Sequence, residues 1–375
     1  MIIGIDGNEA NVTSRVGVSV YAGELLHRFA QKATPQLHFV VFLRNTPLSH
    51  MPKPSPYFRY QVVWGPVGWS QIFLPMKLAL SSKLDVFFAP AHYAPRFLKA
   101  PLVVTIHDVS YLKYPDEFLS HDLYKLTSWT ADALEKAKAV IAVSKTTKKD
   151  IMSSYDIDPS LIRVIYNGFQ RHKTLPKEQA VFEEYGISPK NYILYVGTLQ
   201  PRKNIPLLIE AFSQFRQKYP TMKLVLVGKK GWLFQEIFDT IEKHNLTEWV
   251  VAPGYVDDTS LATLYSQSFC YVLPSLYEGF GIPILEAMNY QTPVISSHSS
   301  SLPEIGGDAC LYFDPTDSHD LLEKLVVLKE ESFLRKTLIS AGNARVQSFS
   351  WDQCAKETLD LLIQIATESS LAKRV

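Results

Sequence analysis

The sequence predicts an α/β protein made of two doubly wound, Rossmann-like domains, and three observations predict it. Short apolar, β-branched runs alternate with longer amphipathic stretches along the whole chain, the pattern of parallel strands joined by crossover helices. At 375 residues the chain outgrows one compact core of ordinary size, so two domains fit best and a cleft between them becomes available. Loops carrying Gly, Asn, His and charged residues follow the apolar runs, which is where doubly wound sheets place ligands.

In the front half, strands are expected at Ile2 to Asp6, Phe39 to Leu43, Tyr60 to Trp64, Asp85 to Phe88, Leu102 to Ile106, Val140 to Val143 and Ile162 to Ile165. Helices fall between them, notably at Tyr21 to Lys32 and Leu123 to Lys136. Asn167-Gly168 and the polar residues through Pro176, followed by a short helix, read as the interdomain linker. A second strand series follows at Tyr192 to Gly197, Leu224 to Gly228, Trp249 to Ala252, Cys270 to Leu273, Pro293 to Ser296 and Cys310 to Phe313. Its helices are expected at Ile205 to Lys218, Leu233 to His244, Ser260 to Gln267 and Ser318 to Leu328. The domains are therefore 1–170 on the acceptor side and 171–350 on the nucleotide side, with a helix at 351–375 expected to pack back toward the first domain.

Composition excludes several classes. Hydrophobic residues at 46% and charged residues at 20% are ordinary for a globular chain and rule out a disordered or fibrous one. No apolar run approaches the roughly 20 residues of a membrane helix. Residues 1–170 carry 18 Lys and Arg against 13 Asp and Glu, and the remainder 20 against 24, so no nucleic-acid stripe exists and the mildly basic front half reads first as solvated surface. Cys270, Cys310 and Cys354, odd in number and widely spaced, read as reduced buried thiols. With a start at Met1 to Asp6 that reads as a first strand, the expectation is a cytoplasmic protein.

The segment Pro274 to Met288 holds the strongest chemical signal. Gly279 and Gly281 let backbone amides approach a ligand, Pro283 suits the first position of a helix, and Glu286 would lie in that helix's first turn. Glu278 alone reads as a solvated charge and Glu286 alone as a helix-dipole carboxylate. Together, two carboxylates bracketing Gly279-Phe280-Gly281 directly after a buried strand make a place that can hold several sugar hydroxyls. Upstream, Gly197 to Asn204 follows a strand and opens a helix, putting Arg202 and Lys203 where they suit a diphosphate.

Glu278 and Glu286, with seven residues between them, resemble the signature of the retaining glycosyltransferase family four, and the resemblance covers nearly the whole chain. It implies the GT-B architecture, two Rossmann-like domains facing across a cleft, and transfer of a hexose from a nucleotide-diphosphate sugar to a glycan, lipid-linked or small-molecule acceptor. It also implies that Glu278, Gly279, Phe280, Gly281 and Ile282 meet the donor sugar and that Glu286 holds the ribose. Lys203 matches the family's phosphate contact. Thr198 stands where some members carry an arginine, which leaves Arg202 as its substitute.

Thr105 to Asp108 ends a strand; a lone histidine there is more often structural, but the family's His-Asp pair places His107 near the donor sugar and reaction centre, with Asp108 supporting. Gly17, in the loop Asn11 to Val18, resembles the family's glycine-containing first loop, while chain geometry at a helix start explains it equally. Asn167-Gly168 matches the family's Asn-Gly at the end of the front domain, where a turn competes. Ser299 to Glu304 resembles the loop bordering the nucleotide and also reads as a helix cap.

No G-x-G-x-x-G follows the first strand and no G-x-x-x-x-G-K-[ST] occurs, against a dehydrogenase or P-loop enzyme. Asp156-Ile157-Asp158 spells D-x-D but sits before Pro159 as a turn, and no metal-ligand spacing appears, so no metal and no cofactor beyond the donor is expected. The donor is of GDP-mannose or UDP-glucose type, mannose being weakly favoured. The stretch Trp64 to Leu80 is open between an acceptor groove, a peripheral contact with the cytoplasmic face of a membrane, and a packed helix, the last being preferred. Competing functions are a binding-only or inactive relative, sugar-phosphate synthesis and nucleotide-sugar epimerisation.

Overall fold

The computed structural model describes residues 1–13, 15, 17–65, 68–80, 83–169 and 180–372. Two compact units emerge: Met1–Gly168 with Phe349–Val375, and Phe169–Ser348.

The first unit is a seven-stranded, all-parallel sheet of β1 (Ile2–Asp6), β2 (His38–Leu43), β3 (Phe58–Val62), β4 (Val86–Ala89), β5 (Leu102–Ile106), β6 (Ala137–Ala142) and β7 (Ile162–Val164), in the order β3-β2-β1-β4-β5-β6-β7. Its crossovers carry α1 (Val18–Lys32), α2 (Leu74–Leu80), α3 (Ser110–Lys113), α4 (Ser120–Lys136) and α5 (Lys145–Ser154). Helix α1 buries Tyr21, Leu25, Leu26 and Phe29 at helical spacing, and Phe29 stacks on Phe39 of β2 with centroids 5.4 Å apart.

The second unit is a six-stranded parallel sheet of β8 (Tyr192–Val196), β9 (Lys223–Val227), β10 (Val250–Gly254), β11 (Cys270–Leu273), β12 (Val294–Ser297) and β13 (Cys310–Phe313), in the order β10-β9-β8-β11-β12-β13. Around it lie α6 (Ala180–Tyr185), α7 (Ile205–Lys218), α8 (Gln235–Lys243), α9 (Asp258–Gln267), α10 (Ile282–Asn289), α11 (Leu302–Gly306), α12 (Ser318–Glu330) and α13 (Ser332–Arg345). The last helix, α14 (Trp351–Ala372), belongs to the first unit: Trp351, Cys354, Leu362 and Ala366 share a core with Ile3, Ile5, Tyr21 and Val86.

Strand order reverses between β1 and β4 in the first unit and between β8 and β11 in the second. In doubly wound sheets such a reversal sends neighbouring crossovers to opposite faces and leaves a crevice beyond the strands' carboxyl ends. The linker residues 170–179 lie outside the described residues, as do Ser14 and Val16 of the first loop. Trp64 to Leu80 departs from the preferred packed helix: Trp69 and Leu74 are buried, but Trp64 is 79% exposed, Met76 61% and Leu80 85%. The stretch carries more apolar residues than one buried stripe can cover, so the rest face outward.

Candidate active site

In the second unit the two segments singled out from sequence follow the two strands at the reversal. Pro201–Lys203 forms a short 3₁₀ turn after β8, and Asn204, in the left-handed region at φ 54°, caps the amino end of α7. Glu278 sits in the loop between β11 and α10. Because β8 and β11 are paired neighbours, residues 75 positions apart meet: Lys203 Nζ bonds Glu278 Oε1, and Arg202 Nη1 lies 3.6 Å from Glu278 Oε2 while donating to the carbonyl of Tyr277. Arg202 and Lys203 are therefore held cations, engaged with the carboxylate loop rather than extended into solvent. Burial alone would push Glu278 up, but Lys203, Arg202 and a 2.7 Å hydrogen bond from Ser275 Oγ hold its carboxyl below the usual range.

A serine cluster, of which the sequence singled out Ser299 to Ser301 but not their contact with the Glu278 loop, fixes this loop. Ser297 and Ser299 both donate to the Ser275 carbonyl, at 2.6 and 2.8 Å, and the Glu278 amide donates to Ser300 Oγ at 2.8 Å. Ser301 Oγ reaches the carbonyls of Glu278 and Phe280 at 2.8 and 3.0 Å. Ser301 thus precedes α11 without capping it through its side chain, correcting the helix-cap reading; Glu304 does lie in the first turn. The signal was the run Ser297 to Ser301 itself, four serines around His298 whose small hydroxyls can satisfy buried carbonyls of a neighbouring loop.

Gly281 takes φ 104° at the amino end of α10, where a Cβ would stand 2.7 Å from Leu302 Cδ2, so the backbone there needs glycine on both counts. Ile282 is the first helical residue and Pro283 the second, one position later than expected. Glu286 falls beyond the first turn, so helix-dipole stabilisation is not its role; Tyr265 of α9 donates to its Oε2 at 2.9 Å. Gly279 and Phe280 are buried between these two carboxylates, and Gly197 follows β8 with its amide bonded to the Val227 carbonyl at 2.9 Å.

The remaining candidates lie in the first unit. His107 follows β5, is 9% exposed, and meets Tyr21 edge-on with centroids 4.9 Å apart. Its Nε2 lies 2.8 Å from the Pro90 carbonyl, which can only accept, so Nε2 carries the hydrogen and Nδ1 is bare. Burial, then neighbouring His92, pushes its pKa down to about 4, so the ring is neutral at physiological pH. Asp108 accepts from the amide and hydroxyl of Ser110 at the start of α3. Gly17 caps α1 at φ 50°. Asn167 is buried with its Oδ1 unpartnered among the described residues, and Gly168 is required by packing: a Cβ would stand 2.2 Å from the Trp351 nitrogen.

Asp158 of the D-x-D caps a 3₁₀ turn through the Ser160 amide, as a turn residue should. Among the described residues no group of three potential metal ligands gathers, and no helix is long and apolar enough to cross a membrane. Cys270, Cys310 and Cys354 are free and buried.

A nucleotide-style reversal carrying paired cations and a carboxylate is shared by several enzyme types, and comparison with known proteins separates them. Residues 16–172 match the family model described as Glycosyltransferase Family 4 and residues 177–345 that described as Glycosyl transferases group 1. Over 283 residues, 73% of each chain, the sequence is 31% identical to O-antigen chain mannosyltransferase B of Escherichia coli. This chain belongs to glycosyltransferase family 4. Another family relative, O-antigen chain mannosyltransferase RfbU of Salmonella typhimurium, is 30% identical over 57% of either chain. Among solved structures, sucrose-phosphate synthase from Thermosynechococcus elongatus superposes with a TM-score of 0.74 at 21% identity over 98% of this chain and 99% of its own. Anabaena Alr3699/HepE in complex with UDP-glucose does so with 0.74 at 19%, over 96% and 99%. Those likenesses show the fold, two Rossmann-like units of the GT-B class.

Proposed function

We propose that this glycosyltransferase moves mannose from a nucleotide-diphosphate donor to a hydroxyl of a glycan acceptor, with retention of anomeric configuration and without a metal. The observation that carries the reading is the cluster of Lys203, Arg202 and Glu278 at the amino end of α7. When the bond from the anomeric carbon to the diphosphate breaks, charge gathers on the leaving oxygen, and two preplaced cations beside a helix amino end stabilise it in place of a metal. The acceptor oxygen forms the new bond, and its proton passes to the departing phosphate. Glu278 and the amides after it, buried and cross-linked by serines, present a rigid edge to the sugar. Glu286, steadied by Tyr265, is suited to the ribose hydroxyls. His107, neutral and fixed through Pro90, is suited to positioning through hydrogen bonds rather than to acting as an acid.

Mannose and a polysaccharide acceptor are supported by the names of the relatives, both O-antigen mannosyltransferases. A sugar-phosphate product is the second reading, because alpha-maltose-1-phosphate synthase of Mycobacterium tuberculosis is 27% identical over 72% of this chain. A lipid-carried acceptor at the cytoplasmic face of a membrane fits the exposed Trp64, Ile72, Met76 and Leu80.

Calorimetry against GDP, UDP, ADP and their hexose conjugates, with EDTA throughout, tests the reading. One nucleotide should bind selectively, and Lys203→Ala and Glu286→Ala should each abolish measurable binding. Absence of nucleotide binding in EDTA, or binding indifferent to both substitutions, overturns it.

A further inference from the structure

The first unit, expected on the acceptor side, has a reversal of its own, and the residues that would meet an acceptor there are so far unassigned. A cavity of about 530 Å³ opens where Asp6 ends β1, Arg44-Asn45 follows β2 and Pro90-Ala91 follows β4. Its volume lies within the range of small-molecule sites, and every lining residue belongs to the first unit. Two walls differ in kind. One is aromatic: Trp69 is buried with its Nε1 donating to the Val63 carbonyl at 2.6 Å, and Tyr93 meets Trp129 of α4 edge-on with centroids 5.2 Å apart. The other is acidic: Asp6 and Glu9.

The asparagines between these carboxylates are already committed. Asn8 donates to Asp6 Oδ1 from its amide and Nδ2, and its own Oδ1 accepts from the Arg44 amide at 2.7 Å. Asn11 bonds the Leu48 amide and the Thr46 carbonyl. They hold the loop's shape and leave Asp6 Oδ2 and the whole Glu9 carboxylate with no hydrogen-bond partner among the described residues. Unpartnered carboxyl oxygens in a concave, part-buried place want hydroxyl partners, and rings want the C–H face of an uncharged body. A pyranose offers both. Above about pH 7, where Asp6 is ionised, two carboxylates against one exposed guanidinium, Arg44, make the cavity unwelcoming to a phosphate or a uronate. The cavity is also one hydrogen bond from His107, through the Pro90 carbonyl that lines it.

We propose that this cavity binds the terminal sugar of an uncharged glycan, with Asp6 and Glu9 accepting from its hydroxyls and Trp129 with Tyr93 packing on its apolar face, so that it selects neutral over anionic acceptors. The inference rests on the transferase reading for its purpose but is tested apart from it. The full-length protein, free of nucleotide, is titrated at pH 8 with mannotriose, maltotriose and mannose 6-phosphate by ligand-observed NMR. At least one neutral trisaccharide should saturate, mannose 6-phosphate should bind at least tenfold more weakly, and Glu9→Gln and Trp129→Ala should each weaken the trisaccharide at least tenfold. Thermal melts of both variants establish that they fold, and Trp129→Phe should retain most of the affinity. Failure of both trisaccharides to bind, a preference for the phosphorylated sugar, or indifference to both substitutions overturns the proposal. Nucleotide calorimetry on the same samples reports separately on the second unit, so a failed donor site is not mistaken for a failed acceptor site.

Discussion

Lys203 and Glu278 are bonded Nζ to Oε1 with side chains only 15% and 13% exposed, although 75 positions separate them. The pair exists because β8 and β11 are neighbours at the strand reversal, so the loops beyond them share one place. Its ions are partly desolvated, which makes each dependent on the other.

The losses from removing the two partners should not add. Lys203→Ala or Glu278→Ala is expected to lower unfolding free energy by about 2 kcal/mol, because each deprives a part-buried charge of its bonded partner, and the double variant should lose less than the sum. Urea titrations arranged as a double-mutant cycle check this. On the proposed mechanism, in which the Lys203 cation stabilises the leaving group, transfer should fall by roughly 100-fold in Lys203→Ala.

His107 should make the fold acid-sensitive. Its folded pKa of about 4 lies below the ordinary 6.5, so between those values the unfolded chain binds more protons. Stability attributable to the neutral ring is full above pH 6.5 and is lost as pH falls toward 4. Unfolding free energy measured from pH 4 to 8 should show this decline, and His107→Gln should flatten it by about 1–3 kcal/mol at the acid end.

Asp6 should act in the opposite sense. Burial, offset by its bonds from Asn8 and reinforced by Glu9, pushes its pKa up to about 7, so between 3.8 and 7 the folded state binds the extra proton. Its cost is absent at low pH and complete above 7. Asp6→Asn should therefore stabilise the protein by about 1–2 kcal/mol at pH 8 and scarcely at pH 4, which paired melts at the two pH values would read.

Gly168 and α14 should prove inseparable. A Cβ at 168 would stand 2.2 Å from the Trp351 nitrogen and 2.3 Å from its Cα, and backbone cannot move aside as a side chain can. Gly168→Ala is expected to destabilise by about 3 kcal/mol, and a chain ending at Ser348 should lose the first unit's cooperative unfolding, because Trp351, Leu362 and Ala366 complete its core. Differential scanning calorimetry follows both.

Strand positions were legible in the sequence because a parallel strand buried on both faces is an uninterrupted apolar run, whatever surrounds it: Ile2–Asp6, Leu102–Ile106, Cys270–Leu273 and Cys310–Phe313 fall where the pattern puts them. Glycines, carboxylates and paired cations after those runs were legible too, since a strand's carboxyl end is a local feature. What touches what was not. That Glu278 rests on Lys203, that Ser297 to Ser301 hold its loop, that Glu286 turns to Tyr265 one position deeper in its helix than expected, and that Gly168 answers to Trp351 all follow from strand order and helix phase. The cavity beside Asp6 has the same origin: Glu9, Tyr93 and Trp129 lie on three separate segments with no shared sequence pattern. Hydrophobic period is written residue by residue, so the sequence by itself determines the elements; which side chains meet depends on how those elements pack, and only the tertiary structure decides it.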